Sequence, residues 1–304
     1  MTRRPARAGA PEGGLVVNKS AGLTSHDVVA LARRTLGQPR VGHTGTLDPL
    51  ATGVLPLLLG RATRLARFLV SDEKAYEASV RFGQATTTYD AEGTPTGPPA
   101  HHLPDRAAIE DALTRFRGRF HQVPPAVSAK KVGGHRAYAL ARAARPVTLA
   151  PVPVAVSRLE LTGVEGAVAT LRVECSSGFY VRSLAHDLGV AIGVGAHLTE
   201  LRRTRSGRFR LDQSVSIAEL STAAGEVVPG RLIAMADLLS DLPARDLTAG
   251  EEDGVRAGRT VAPLPTRDGA PFPTGFVRLL ASDGRLAGIA EMRAGVLHPL
   301  VVLM

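Results

Sequence analysis

The stretch from Gly42 to Gly53 (GHTGTLDPLATG) constrains the chain more than any other. Its twelve residues include three glycines, three threonines, one histidine and one acid, a mixture unsuited to a regular helix or strand. Glycine admits left-handed backbone and close approach of other groups. Pro49 fixes its own φ and drives Asp48 towards extended geometry. Asp48 should therefore stand on a constrained loop, presented rather than packed, as functional groups on a rigid scaffold commonly are. The apolar run Val54 to Leu59 follows at once and offers a buried strand to anchor the loop.

A chain of 304 residues accommodates one large domain plus a small one, and its hydrophobic fraction of 44% is that of a globular protein. The charge is less ordinary. The formal net charge is +9, and of 37 basic residues only Lys19, Lys74, Lys130 and Lys131 are lysines. Guanidinium forks bind phosphates and stack on bases, so a nucleic-acid partner is expected. Biased genomic base composition would explain arginine over lysine, but not the excess over acids. The single cysteine, Cys175, excludes a disulfide framework within the chain and points to a reducing compartment, the cytoplasm. No run of about 18 apolar residues suggests a membrane span. The basic start, residues 1–12, lacks an apolar signal core and is expected to be a disordered arm.

Periodicity places a strand at Gly14 to Lys19, a helix capped by Ser25 and ended by Gly37, and a helix from Ala62 to Val70. Arg61, Arg64 and Arg67 share one face of that helix, which beside the presented loop suggests a phosphate track. Lys74 to Phe82 alternates as a strand, with Tyr76, Ala78, Val80 and Phe82 on one face. Gly83 to His102 reads as loop, and Asp105 caps a helix closed by Gly118. His121 to Lys131 is a second constrained loop, leading to a short helix at Tyr138 to Ala144. Strands are expected at Val152 to Leu161 and Ala167 to Cys175, then a helix fed by Phe179 to Arg182 and ending near Ile192. Leu201 to Arg210 carries five arginines in ten residues. Past Asp241 the chain turns rich in Pro, Gly, Asp and Arg. Strand signals at Phe276 to Leu280, Leu286 to Ala290 and Leu300 to Leu303 suggest a small all-β module there. The expected organisation is an arm (1–12), a larger domain (13–240) and a small one (241–304).

No nucleophile elbow, HExxH spacing, P-loop or complete dinucleotide fingerprint occurs, so a hydrolase triad, metals, ATP and NAD are not suggested. Asp48 and His43 stand five residues apart across a glycine loop, a weak acid–histidine pair. There are four tyrosines and no tryptophan. Tyr138 reads as core with its hydroxyl satisfied, Tyr89 stays undecided, and Tyr76 and Tyr180 could be platforms for a flat ring. A basic protein with a presented aspartate, stacking tyrosines and no cofactor signature narrows to base or sugar chemistry on a polynucleotide.

Five stretches, in order, resemble the TruB family of tRNA pseudouridine synthases, which act on uridine 55 in the T loop. GHTGTLDPLATGVLPLLLGRAT (Gly42 to Thr63) resembles the family's signature motif, long and unbroken. GLVVNKSAGLTSHDVV (Gly14 to Val29), KAYEASVRFGQATTTYDAEG (Lys74 to Gly93), QVPPAVSAKKVGGHRAYALAR (Gln122 to Arg142) and CSSGFYVRSLAHDLGVAIGVGAHLTELRR (Cys175 to Arg203) resemble its other motifs. The departures are Ser20 where proline is usual, Ser177 where lysine is frequent and Phe179 where threonine is frequent. They bear on local RNA contacts rather than on the chemistry.

The resemblance implies an α+β fold: a catalytic domain with a mixed, largely antiparallel sheet flanked by helices, and a small C-terminal β-rich, PUA-like domain that binds RNA. It implies an isomerase that detaches uracil from ribose C1′ and rejoins it through C5, without a cofactor. Carried over by motif, Asp48 acts on the sugar–base linkage, as nucleophile or by assisting elimination at the sugar. Arg182 pairs with it and fixes its rotamer. Tyr76 stacks on the flipped ring. His43 occupies space vacated in the T loop and Leu201 lines the pocket. Lys19, Tyr180 and Lys131 complete the substrate contacts. The implied partner is the T arm of tRNA, met by a monomer with no obligatory protein partner. Two other readings stand beside this one: an isomerase whose sites are chosen by a guide RNA, and a non-catalytic RNA-binding protein on the same scaffold.

Overall fold

The computed structural model describes residues 9–69, 73–126, 131–132, 135–136, 149–222, 224–263 and 274–304. Its elements begin with β1 (Gly13–Lys19), α1 (Ser25–Thr35), β2 (Val41–His43), β3 (Thr52–Leu59), α2 (Ala66–Leu69), β4 (Lys74–Phe82), α3 (Arg106–Leu113) and β5 (Gly118–Gln122). A hairpin of β6 (Lys131–Val132) and β7 (His135–Arg136) precedes β8 (Val152–Glu165), β9 (Val168–Cys175), α4 (Val181–Ile192) and β10 (Ala196–Ser206). Then come β11 (Phe209–Arg210), β12 (Val215–Ser216), α5 (Ile217–Thr222), α6 (Ala224–Arg231), β13 (Ala244–Asp246), α7 (Ala249–Arg256), β14 (Phe276–Leu280), β15 (Leu286–Arg293) and β16 (Val296–Val302).

The fold is α+β, as expected. Ten strands form the main sheet, in the order β12, β1, β3, β10, β4, β9, β8, β5, with β2 beside β3 and β11 beside β10. Its pairings are antiparallel except β1 with β12 and β3 with β10, so the sheet is mixed and largely antiparallel. A second sheet, β13-β14-β15-β16, builds the small C-terminal domain.

The unbroken apolar run of β3 is explained by burial on both faces. Leu55, Leu57 and Leu59 enter the main core with α1, α3 and α4. Val54 and Leu58 point the other way, into a cluster with Leu286, Ile289, Val301 and Leu303 of the small domain. β1 divides likewise, Leu15 and Val17 to the first cluster and Val16 to the second. The strand beneath the Gly42–Gly53 stretch is thus clamped between two layers.

Several local expectations change. The cap of α1 is Thr24, in a capping box with Asp27, and not Ser25, whose hydroxyl is used elsewhere. The helix expected from Ala62 to Val70 is a 3₁₀ turn, Gly60–Leu65, followed by the four residues of α2; Val70 lies outside the described residues. The small domain is not all-β. It contains α7, whose Thr248 cap is boxed by Glu251. The helix expected at Tyr138 to Ala144 falls outside the described residues. Of the arm expected over residues 1–12, residues 1–8 are likewise outside, while Glu12 is held by Arg61 at 2.6 Å.

Of the arginines expected as a phosphate track, Arg61 and Arg64 also reach the C-terminal residues of the small domain. Arg61 donates to the Leu303 carbonyl at 2.5 Å, Arg64 donates to the Val302 carbonyl, and Arg67 lies over the Phe68 ring. The five-arginine run disperses too. Arg203 points inward, Arg202 lies opposite Glu77 in the ladder, and Arg205 pairs with Glu174 at 2.6 Å.

Candidate active site

β3 and β10 join in parallel over two residue pairs, Thr52 with Arg202 and Gly53 with Arg203. Arg203 also faces Tyr76 of β4, so Gly53, Arg203 and Tyr76 form one row across three strands. Gly53 has φ 99°, and a Cβ there would lie 2.2 Å from the Arg203 carbonyl oxygen. Only glycine fits that join.

The loop Thr44–Ala51 rises from the join and is tied at three places. Ser25 Oγ donates to the Leu47 carbonyl at 3.0 Å and accepts from the Leu47 N–H at 2.8 Å. The Lys19 ammonium donates to the carbonyls of Leu23 (2.6 Å), Ser20 (3.0 Å) and Pro49 (3.2 Å). Arg203 donates from Nε to the Val54 carbonyl at 2.7 Å, from Nη2 to Gly45 at 3.1 Å and from Nη1 to Thr46 at 3.4 Å. Backbone that is poor helix and poor strand satisfies its carbonyls on buried cations. Between these ties stands Asp48, its side chain 33% exposed.

Arg182 arrives from the first turn of α4, whose start is fixed by Gln122: its Oε1 accepts from the Tyr180 N–H at 2.8 Å and its Nε2 donates to the Tyr180 carbonyl at 3.0 Å. The guanidinium is buried. Its Nε donates to Asp48 Oδ2 at 2.9 Å, and its Nη1 donates to the Thr88 carbonyl at 3.2 Å and lies 3.5 Å from Asp90 Oδ2. Asp90 is buried and accepts from the Thr88 hydroxyl at 2.5 Å. Tyr89, undecided from sequence, has φ 66° and stacks on His186 of α4 with ring centroids 3.9 Å apart. That stack holds the Thr88–Asp90 turn against the helix that carries Arg182.

Asp48, Arg182, Tyr76, Leu201, Lys74 and Arg203 border a cavity of about 230 Å³, and Tyr180 lines it as well. Burial pushes the Tyr76 phenol above its ordinary value, and the charge of the neighbouring Arg203 opposes the shift. A neutral phenol and a flat ring are therefore what this wall presents.

Two comparisons bear on the family. Residues 33–181 match the model of the TruB family pseudouridylate synthase N-terminal domain, and residues 182–233 match that of the tRNA pseudouridylate synthase B C-terminal domain. The chain belongs to the TruB pseudouridine synthase family. A protein named tRNA pseudouridine synthase B from Solibacter usitatus is 46% identical over 96% of this chain and 100% of its own length. Its namesake from Thermobifida fusca is also 46% identical, over 96% of this chain and 98% of that protein. Among solved structures, one of a Cbf5-Nop10-Gar1 complex superposes with a TM-score of 0.72 at 24% identity, over 99% of this chain and 88% of that one. A structure of an H/ACA ribonucleoprotein bound to a substrate RNA gives 0.71, also at 24% identity. These two share the fold.

Of the residues expected from the TruB motifs, Asp48, Tyr76, Arg182, Tyr180 and Leu201 meet at the cavity. Two do not line it. Lys19 is wholly buried and its ammonium is spent on backbone carbonyls, so it braces the loop and is not open to substrate. His43 ends β2, half-buried and opposite Leu57. Lys131 lies on β6, and its side chain is outside the described residues. Sequence reasoning missed Ser25, Asp90, Lys74 and Arg203. Asp90 and Lys74 sit within the stretch Lys74 to Gly93, and Arg203 ends the stretch Cys175 to Arg203, but nothing in spacing alone marks them.

Proposed function

We propose that this protein isomerises uridine 55 in the T loop of tRNA to pseudouridine. The observation that carries the reading is the 2.9 Å contact of Arg182 with Asp48 beside the buried Tyr76 ring, in a chain nearly half identical to tRNA pseudouridine synthases. The target uridine leaves the T-loop stack and enters the cavity, where Tyr76 replaces part of the lost stacking and Leu201 and Tyr180 complete the walls. Arg182 holds Asp48 in one rotamer and complements its charge. Asp48 then acts at the sugar, adding to C1′ or taking the C2′ proton, and the C1′–N1 bond breaks. C5 rejoins C1′, Asp48 is released or returns its proton, the C5 proton leaves to water, and N1 ends protonated. The sum is an isomerisation, redox-neutral and without a co-reactant.

The same reading makes the protein a cytoplasmic monomer that acts on tRNA without an obligatory protein partner or cofactor. Among the described residues no helix is long and apolar enough to cross a membrane. Residues 241–304 are assigned as a PUA-like module adding RNA contacts, His43 as a filler of the remodelled T loop, and Lys131 as a substrate contact.

The test is pseudouridine mapping in an unmodified T-arm transcript incubated with the purified protein. Asp48→Asn is expected to lower the rate by more than about 1000-fold while leaving tRNA affinity nearly unchanged. Pseudouridine formed at a normal rate by Asp48→Asn would remove Asp48 from its role. Activity that appears only with an added guide RNA would favour the guided reading. Binding without any product would favour the non-catalytic one.

A further inference from the structure

We infer that Arg203 supplies the positive charge that stabilises uracil while it is detached from the sugar. This rests on the isomerase reading. Arg203 is 1% exposed, yet it borders the cavity holding Asp48 and Tyr76. Its acceptors are the carbonyls of Val54, Gly45 and Thr46, and its neighbour in the row is the Tyr76 phenol, all neutral. Among the described residues no carboxylate pairs with it. A buried cation without a counter-ion is costly, because dipoles replace only part of its lost hydration. An apolar side chain would fill the row between Gly53 and Tyr76 at less cost. A guanidinium kept charged at a cavity wall suits a ligand that becomes negative there, where low dielectric strengthens the attraction.

The reaction makes such a ligand. Whether Asp48 adds to C1′ or takes the C2′ proton, the C1′–N1 bond breaks with its electron pair staying on uracil. The detached base then carries a full negative charge, shared by N1, O2 and O4. When C5 bonds to C1′, the ring's π electrons form the new bond, the C5 proton leaves and N1 takes a proton. The charge exists only between the two bond events. A fixed cation therefore favours the intermediate and its flanking transition states over bound uridine, which is what raises a rate. Three backbone acceptors hold the guanidinium in place, so it need not reorganise as the charge appears. Lys74, two residues before Tyr76 on β4, borders the same cavity.

The experiment compares two T-arm RNAs, one with uridine and one with 5-fluorouridine at the target. Fluorine withdraws electrons and stabilises the uracil anion by itself. Single-turnover loss of the N1-linked nucleoside is measured after digestion, with RNA affinity measured in parallel. Arg203→Met is expected to consume uridine about 100-fold more slowly, with affinity unchanged within about twofold, and 5-fluorouridine no more than about tenfold more slowly. Equal slowing on both RNAs would reduce Arg203 to a clamp on the loop and overturn the inference, as would no slowing on either. Arg203→Gln, which keeps a donor for the loop, is held to the same outcomes should the methionine variant not fold. Arg203→Lys keeps the charge and should retain the wild-type ratio between the two RNAs; a ratio shifted as far as in Arg203→Met also overturns it. A wild-type protein inactive on uridine RNA would sink the functional reading instead, and is seen before any variant is made.

Discussion

Two buried guanidiniums border one cavity and are partnered in opposite ways. Arg182 faces two carboxylates, Asp48 and Asp90, so its positive charge is matched by acids. Among the described residues Arg203 faces only carbonyls and a phenol, so the sheet side keeps its positive charge. Asp48 and Arg203 thus stand on different walls of the cavity. Burial alone does not say what an arginine does. The charge of its partners decides whether it neutralises an acid or presents a field.

The largest expected effect breaks the first half of that comparison. In Arg182→Met the carboxylates of Asp48 and Asp90 lose their shared cation, and Asp90 is 5% exposed. Removing one partner of a buried ion pair is destabilising by about 3–5 kcal/mol, and the partial exposure of Asp48 places this variant near the lower figure. Pseudouridine formation should fall by more than about 1000-fold, because Asp48 loses both rotamer and charge complement. Thermal unfolding and single-turnover rates together check this. A variant as stable as the wild type would mean that the two acids do not depend on Arg182.

Lys19 sharpens the second half, because it too is a buried cation held by carbonyls. Burial lowers its pKa to about 8, against the opposing pull of the Asp48 charge. Above that pH the neutral amine has two N–H groups for three carbonyls, and the tie to the Asp48 loop weakens. Activity should fall severalfold as pH rises through about 8, where an ordinary lysine would hold its proton to about 10. Over this window the unfolded chain binds more protons at Lys19 than the folded one, so this residue's contribution to stability rises with pH. The loss of rate is therefore not unfolding. Lys19→Met has no proton to lose and should give a lower but flat profile; an alkaline limb that persists in it would clear Lys19.

Much of this is legible in the sequence alone. The alternation of Lys74 to Phe82 put Tyr76 on a core-facing side, and the glycines and Pro49 marked Asp48 as presented. What was not legible depends on distant partners. Thr24 and Ser25 are both good helix caps, and what excludes Ser25 is its use on Leu47, 22 residues away. Arg202, Arg203 and Arg205 look alike in a run. Gly53 on one side and Tyr76 on the other turn Arg203 inward, and a register shift between Arg203 and Arg205 breaks the simple alternation. Asp90 lies in an irregular turn whose geometry Tyr89 and His186 set together. The α7 helix was hidden by glycine and acidic composition, although its Thr248-to-Glu251 box was readable.

The smallest effect tests whether carbonyl-bound guanidiniums matter outside a cavity. Arg61 and Arg64 make the same kind of contact as Arg203, with the Leu303 and Val302 carbonyls, but Arg61 is 39% exposed and also pairs with Glu12. In water-screened surroundings such contacts are worth little. The double variant Arg61→Ala/Arg64→Ala should lower the thermal midpoint by roughly 2–4 °C, through looser docking of the small domain on the 3₁₀ turn after β3. The rate on bound RNA should not change, since neither side chain borders the cavity. The salt dependence separates docking from phosphate binding. Each phosphate contact contributes about 0.9 to the slope of log affinity against log salt. If both arginines serve the fold, the double variant keeps the wild-type slope. A slope shallower by about 1.5 or more would return them to the RNA surface, as a phosphate track beside the Asp48 loop.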